Sequence, residues 1–313
     1  MLTSPPCYPV VCPGHSRPVV DVRFCDAGED GVLMVSGCHD KLPMLRWGDN
    51  GDWIGTFDGH KGAVWSSCLN SDASKVATGS GDFSARIWDA VTGLMLFEME
   101  HNHIVKTVEF SKNDKYLLTG GHEKILRIFD LGSAKIIPVT SITAPASIRK
   151  ASWLSDSLVI CGCDDGSVQI WDVTDHSEGP KKEWTLKHAV KDLEFCEKLA
   201  TVTVASGNSV YFYDSASLEL KKKVDLSIKV EGASLNPVNS KEFVAGGNDL
   251  WVHVVDYESE QELHCHKGHH GPIFCLRYAP DGNSYASGSE DGTIRIWSHT
   301  NKEVVTEELL ELQ

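Results

Sequence analysis

Three groups of side chains in this sequence combine a histidine, a hydroxyl, a carboxylate and an indole. A hydroxyl that attacks, an imidazole that takes its proton and a carboxylate that holds the imidazole would together perform acyl transfer or hydrolysis. The three groups are His15, Ser36, Asp40 and Trp47; His60, Thr78, Asp82 and Trp88; and His269, Ser287, Asp291 and Trp297. A single active site would need such a group only once. We therefore interpret all three as structural and expect no catalytic residue and no enzyme activity.

The groups recur because the 313-residue chain is built from a repeat. The predicted third strand of each repeat ends, at intervals of 41 or 42 residues, at Trp47, Trp88, Phe129, Trp171, Tyr213, Val255 and Trp297. A period of about 40–45 residues with a Gly-His start is typical of a β-propeller blade. In the second repeat, residues 84–88 alternate polar and apolar side chains, as a strand with one buried face does. The sequence predicts an all-β protein, a seven-bladed β-propeller.

We expect residues 1–313 to form one domain, since no linker interrupts the repeat. A closed ring needs an outer strand for blade seven, and residues 8–12 are the preferred source because Val10 and Val11 suit a strand. The alternative source is residues 303–306. Residues 306–313 form a short acidic tail.

The composition excludes several classes of protein. Hydrophobic and charged contents of 41% and 23% are those of a globular protein. A net charge of −15 argues against direct, non-specific nucleic-acid binding. The ten scattered cysteines include no C-x-x-C pair, the N-terminus lacks the features of a signal peptide, and no apolar run is long enough to cross a membrane. We expect a cytoplasmic protein in a reducing environment, with the nucleus as a second location.

Two clusters could suggest a metal site. Residues 264–270 read HCHKGHH, and Cys161 and Cys163 lie two residues apart. Imidazole and thiolate ligands suit zinc, but neither cluster has the spacing of a zinc site, and His269 belongs to a structural group. We expect no metal and no cofactor.

The remaining repeats depart from the four-residue pattern. Blade three has Glu123 and Phe129 at the carboxylate and indole positions, and blade four lacks the histidine, with Ala144 in its place. Blades five and six have Gly207 and Val255 at pattern positions. We expect blades four to six to exchange amide hydrogens faster than blade two. Equal protection would contradict this interpretation.

The repeats resemble those of the WD-repeat family. In that family the four residues form a buried hydrogen-bonded chain within each blade, and partners bind the top face around the channel mouth. The resemblance places two sets of residues on that face. The first is Val20, Trp65, Lys106, Arg149, Lys191, Glu231 and Phe274, and the second is His39, Gly81, His122, Asp164, Ser206, Asn248 and Glu290. Because aromatic and cationic side chains anchor many interfaces, the candidate partner-binding residues are Trp65, Lys106, Arg149, Lys191, Phe274, His39 and His122. The alternative is that Trp65 lies flat in its blade and the cations are solvated.

Longer stretches resemble one particular family within this class. They are RPVVDVRF at 17–24, HDKLPMLRWGDNGDWIGTFDGHKGAVW at 39–65, HIVKTVEFSKNDKYLLTGGHEKILRIFDL at 103–131 and GSEDGTIRIW at 288–297. They are similar to the serine-threonine kinase receptor-associated protein family. This implies a monomeric, non-catalytic adaptor in the survival-of-motor-neuron complex, which assembles spliceosomal small nuclear ribonucleoproteins, with receptor kinases as a second class of partner.

A second family shares some of these features. The openings GHHGPI and GHKGAVW are also similar to those of subunit i of translation initiation factor three. Residues 43–46 and 48–55 favour the first family.

Overall fold

The computed structural model describes residues 8–133 and 138–298, apart from the side chain at position 30. This part of the chain contains strands, two short 3-10 helices (Gly28–Asp30 and Glu197–Leu199) and no helix long and apolar enough to cross a membrane. The strands, in chain order, are β1 (Val10–Cys12), β2 (Val19–Asp26), β3 (Val32–Cys38), β4 (Met44–Trp47), β5 (Trp53–Thr56), β6 (Val64–Leu69), β7 (Lys75–Ser80), β8 (Ser84–Asp89), β9 (Met95–Glu100), β10 (Val105–Phe110), β11 (Tyr116–Gly121), β12 (Ile125–Asp130), β13 (Pro138–Thr143), β14 (Ile148–Trp153), β15 (Leu158–Cys163), β16 (Ser167–Asp172), β17 (Lys182–Thr185), β18 (Val190–Cys196), β19 (Thr201–Ser206), β20 (Ser209–Asp214), β21 (Leu220–Asp225), β22 (Val230–Leu235), β23 (Glu242–Gly247), β24 (Val252–Asp256), β25 (Glu262–His266), β26 (Ile273–Tyr278), β27 (Ser284–Ser289) and β28 (Ile294–Ser298).

The strands form seven antiparallel sheets of four strands each, which confirms the predicted all-β, seven-bladed propeller. In six of the sheets the chain runs continuously from an inner strand to an outer strand. The inner strands β2, β6, β10, β14, β18, β22 and β26 contact one another in sequence and close a ring, because β26 also contacts β2. They surround a central channel.

The seventh sheet joins the two ends of the described chain. Its order is β26-β27-β28-β1, and β1 pairs with β28 through Val10↔Ile296 and Cys12↔Ile294. The N-terminal strand therefore supplies the outer strand of this blade. Residues 303–306 and the acidic tail at 306–313 lie outside the described residues.

Adjacent blades approach closely because glycine occupies one position of the second strand in six of the seven blades. A Cβ atom placed on Gly79 would lie 2.9 Å from a methyl carbon of Val105 in the next blade. At Gly162 the corresponding distance to Val190 is 2.5 Å, and at Gly288 the distance to Val19 is 2.8 Å. A Cβ atom at these distances would clash with the neighbouring side chain. Glycine has no Cβ atom, so a β-branched residue of the following blade can pack directly against the strand.

Two of the three predicted polar groups form a complete buried hydrogen-bonded chain. In blade two, Trp88 Nε1 donates to Thr78 Oγ1 (2.8 Å), that hydroxyl bonds His60 Nε2 (2.7 Å), and His60 Nδ1 bonds Asp82 (2.8 Å). Blade seven repeats the arrangement through Trp297, Ser287, His269 and Asp291, with corresponding distances of 2.9, 2.8 and 2.9 Å. Each chain links the blade's opening loop, middle strand, turn and third strand. Burying these polar groups is therefore compatible with a stable core.

The prediction for Trp47 in blade one is wrong. His15 bonds Asp40 and Ser36, each at 2.8 Å, but Trp47 is 39% exposed and pairs with Leu33 in the strand ladder. Arg46 takes the place of the indole, ten residues after Ser36 as Trp88 is ten residues after Thr78. It is buried and donates to the carbonyls of Gly51 and Pro13. A one-residue difference in a strand turns a side chain to the opposite face.

Blade three contains part of the same hydrogen-bonded arrangement, which the sequence did not predict. His101 Nε2 bonds Thr119 Oγ1 at 2.8 Å, with the 18-residue separation seen between His60 and Thr78. Phe129 packs near the His101 ring, with ring centroids 5.8 Å apart, and offers no donor. The separation of 18 residues between histidine and threonine is the sequence signal that identifies the His101–Thr119 pair.

Candidate functional site

A β-bulge occurs at the same place in all seven inner strands. The ladder between the first two strands of each blade skips one residue, as between Val64 and Ser66 in blade two. The skipped residues are Val20, Trp65, Lys106, Arg149, Lys191, Glu231 and Phe274. A bulge turns the extra side chain out of the regular ladder and is common next to binding sites. Here it directs one side chain per blade to the end of the channel.

These seven side chains meet at the channel mouth. Together with His39 and Lys150 they line a cavity of about 300 Å³. Six of the seven residues proposed from the sequence as partner-binding lie here, namely Trp65, Lys106, Arg149, Lys191, Phe274 and His39. His122 does not line the cavity. Its ring lies near that of His103, with centroids 5.1 Å apart, and its backbone N–H donates to Ile104 O at 3.0 Å.

Trp65, Lys106 and His39 form the most closely packed part of the mouth. The Lys106 Nζ atom lies 2.8 Å from the centroid of the Trp65 ring, and the His39 ring meets Trp65 edge-on at 4.4 Å. Lys106 is only 5% exposed. Burial, with a smaller effect of the Arg149 charge, lowers the pKa of Lys106 to about 7. Burial and the nearby Lys106 also lower the pKa of His39.

The other cations of the mouth already have counter-ions. Lys191 Nζ lies 2.9 Å from Glu231, and Arg149 Nε lies 3.6 Å from Asp164. Lys150 Nζ lies 2.6 Å from Asp21. Among the described residues, no carboxylate lies within ion-pair distance of Lys106. An acidic group entering the mouth would therefore find one cation without a counter-ion, resting on an aromatic face.

Buried ion pairs cross the channel below the mouth. Lys150 of blade four reaches Asp21 of blade one, and Arg277 of blade seven holds Asp192 of blade five through two bonds of 2.6 and 2.7 Å. Burial alone would raise the pKa of Asp192, but the Arg277 charge outweighs it and holds that pKa at about 2. These pairs are not evident from the sequence. Their only sequence signal is a charged residue directly after or close to the bulge position of an inner strand.

The fold and the channel mouth define a WD-repeat propeller, a scaffold that binds other proteins. The "WD domain, G-beta repeat" family model matches residues 51–89, 95–130, 137–172 and 260–298. This agrees with the class that the sequence predicted.

Relatives across almost the whole chain identify a particular family. Serine-threonine kinase receptor-associated protein of Mus musculus is 46% identical over 290 residues, which cover 92% of this chain and 82% of the relative. The protein of the same name from Dictyostelium discoideum is 46% identical over 292 residues, covering 92% and 98%. The chain belongs to the serine-threonine kinase receptor-associated protein family.

The second family considered from the sequence is more distant. Eukaryotic translation initiation factor 3 subunit I of Bombyx mori is 30% identical over 321 residues, covering 92% of this chain and 94% of the relative. The lower identity over a similar length makes this alternative weaker.

Proposed function

We propose that this chain is a non-catalytic adaptor of the survival-of-motor-neuron complex, acting in the assembly of spliceosomal small nuclear ribonucleoproteins in the cytoplasm and nucleus. Family membership supports the proposal, because relatives 46% identical cover 92% of the chain. The name of those relatives adds receptor kinases as a second class of partner. We expect no direct contact with RNA, since the chain carries a net charge of −15.

The observation that carries the binding role is the Lys106–Trp65 pair at the channel mouth. Lys106 has no carboxylate within ion-pair distance among the described residues, and its Nζ lies 2.8 Å from the Trp65 ring centroid. A carboxylate from a partner would form a charge-assisted hydrogen bond with Lys106. Trp65 and Phe274 would contact an apolar side chain of the same partner segment.

The size of the mouth limits what can enter it. About 300 Å³ is at the lower end of ligand-pocket volumes, so the cavity suits one or two side chains rather than a folded domain. At the rim, half-buried Arg149 pairs with Asp164 and half-buried Lys191 pairs with Glu231. Carboxylates of a partner can replace these two acids. The partner is thus an extended segment with an apolar anchor and neighbouring carboxylates.

Purification of the endogenous protein's complexes under mild salt, followed by mass spectrometry, tests the adaptor role. Sm proteins and other survival-of-motor-neuron components are the expected result. Translation-initiation subunits without Sm proteins would favour the second candidate, for which the 30% identity to initiation-factor subunits is the supporting observation. Recovery of neither set would contradict both.

A further inference from the structure

The outer strands of the seven blades differ in how their free edges are protected. An outer strand presents unpaired N–H and C=O groups, and proteins commonly block such edges with proline or lysine. Residues Pro9 and Pro13 flank β1, Pro138 begins β13, β17 begins with Lys182, and β21 contains three consecutive lysines. Strand β9, with the sequence MLFEME, is the longest outer strand among the described residues that contains neither proline nor lysine.

The surface at β9 is also apolar. Leu94, Met95, Leu96 and Phe97 are between 40% and 66% exposed. In the β8–β9 ladder the register skips Leu96, so Phe97–Glu100 forms a regular ladder beyond the bulge. In an antiparallel pair every second residue directs its N–H and C=O away from the neighbouring strand. No strand among the described residues pairs with the outer edge of β9, so this free edge combines outward main-chain groups with exposed apolar side chains.

An exposed aromatic side chain of blade one lies near the start of β9. The turn before β9 lies against the end of β5, since a Cβ placed on Gly93 would be 3.8 Å from Thr56 O. Thr56 Oγ1 in turn accepts a hydrogen bond of 3.1 Å from Trp53, whose side chain is 60% exposed. Trp53 lies in the segment 48–55 and is not among the residues that line the channel mouth. The exposed Trp53 ring therefore lies near the turn that leads into β9.

Charge decides what kind of strand fits this edge. Strand β9 carries Glu98 and Glu100 and no basic residue. Glu98 accepts two bonds from Arg86 (3.0 and 2.7 Å), whereas Glu100 is exposed. Two copies of β9 placed edge to edge would bring four carboxylates into one short ladder, and like charges across a strand pair are destabilising. A basic strand from another protein would be attracted instead.

We infer that the free edge of β9 is a second docking surface, at which an extended segment of a partner protein, apolar with a lysine or arginine, adds a fifth strand to blade two. Strand addition takes its affinity from main-chain hydrogen bonds and its specificity from alternate side chains. The surface is separate from the channel mouth, whose cations favour an acidic segment. One propeller can therefore hold two partner segments of opposite charge.

A labelled synthetic peptide of alternating valine and lysine is the probe, measured by fluorescence anisotropy with the full chain. A matched peptide with methyl groups on alternate main-chain nitrogens keeps the charge but cannot complete the ladder. We expect the unmodified peptide to bind and to slow hydrogen exchange at the amides of Glu98 and Glu100. The methylated peptide should bind at least about tenfold more weakly, because several hydrogen bonds are lost.

Variants test the same surface from the protein's side. Glu100→Lys should weaken binding of the unmodified peptide about tenfold, and Val139→Lys on the exposed edge of β13 is the matched control that should not change it. Lys106→Glu at the mouth should also leave it unchanged, so this test is independent of the proposed function. Equal binding of both peptides, or binding of neither, would overturn the inference. Analytical ultracentrifugation of the wild type and of Phe97→Lys gives a further test. A wild-type dimer that the variant abolishes would overturn the inference, because a second copy of the chain would then occupy the edge.

Discussion

The Lys106 ammonium rests on the face of the Trp65 indole, with Nζ 2.8 Å from the ring centroid. Two effects on the lysine oppose each other here. Burial lowers its pKa to about 7, whereas the negative face of the ring favours the charged form. The pair therefore places a cation whose charge depends on pH beside an apolar ring at the channel mouth.

This relationship predicts pH-dependent binding at the mouth. Because Lys106 loses its proton as the pH rises through about 7, an acidic peptide with one aromatic residue should bind more weakly above that pH than below it. Lys106→Arg keeps the charge at every pH of interest and should remove most of the dependence. Anisotropy titrations on both sides of pH 7 measure the effect. Equal pH dependence in the two proteins would show that another group is responsible.

The Asp192–Arg277 pair predicts a pH-dependent stability. The pKa of Asp192 is about 2 in the folded chain, below its ordinary value of 3.8, so its contribution is present above about pH 4 and is lost as the pH falls towards 2. Asp192→Asn removes the carboxylate that holds buried Arg277 through two bonds and leaves only the longer contact of 3.5 Å with Glu194, so it should lower the free energy of unfolding by about 3 kcal/mol at neutral pH. The difference should shrink in acid.

Urea unfolding at neutral and acid pH measures this prediction. Asp58→Asn, at an exposed position, is the control and should change stability little at either pH. A constant difference between wild type and Asp192→Asn at all pH values would contradict the assignment.

Removal of the Thr78 hydroxyl tests the hydrogen-bonded chain of blade two. Thr78→Val keeps the shape but leaves Trp88 Nε1 and His60 Nε2 without their partner, and should cost about 2–5 kcal/mol of stability. Thr78→Ser restores the hydroxyl and should recover most of it. Denaturant unfolding followed by circular dichroism gives both values. A loss as large in the serine variant would point to the methyl group instead.

The two tryptophans at the ends of β4 and β8 should differ sharply. Trp88 is 1% exposed and Trp47 is 39% exposed. We expect Trp88→Ala to lower the free energy of unfolding by about 3–5 kcal/mol and Trp47→Ala by less than about 1 kcal/mol. Similar losses would mean that Trp47 belongs to the buried chain of blade one after all.

The same tryptophans show what sequence could and could not predict. The repeat gives the blade number, and alignment of the repeats gives the residues skipped at the bulges, because every blade uses the same inner-strand geometry. Counting periods from one aromatic residue to the next cannot resolve a single-residue difference, so it predicts Trp47 at the place that Arg46 occupies. The sequence does not reveal the role of His101 because its blade lacks the Gly-His opening.

The charged pairs of the channel required the three-dimensional structure. Asp21 and Lys150 are separated by 129 residues, and Asp192 and Arg277 by 85. No local pattern predicts which inner-strand charges face one another across a ring. Likewise, Lys106 can be placed at the mouth from sequence, but its burial and its contact with Trp65 depend on how neighbouring blades pack.

Co-purification measures whether the channel mouth holds the partners. The full-length wild type, the double variant Trp65→Ala/Arg149→Glu and the control Val139→Lys would be tagged, expressed in the same cells and purified under mild salt, and co-purifying proteins quantified by mass spectrometry. We predict that survival-of-motor-neuron components accompany the wild type and the control and are largely lost from the double variant. Unchanged recovery with a folded double variant would contradict the binding role of the mouth.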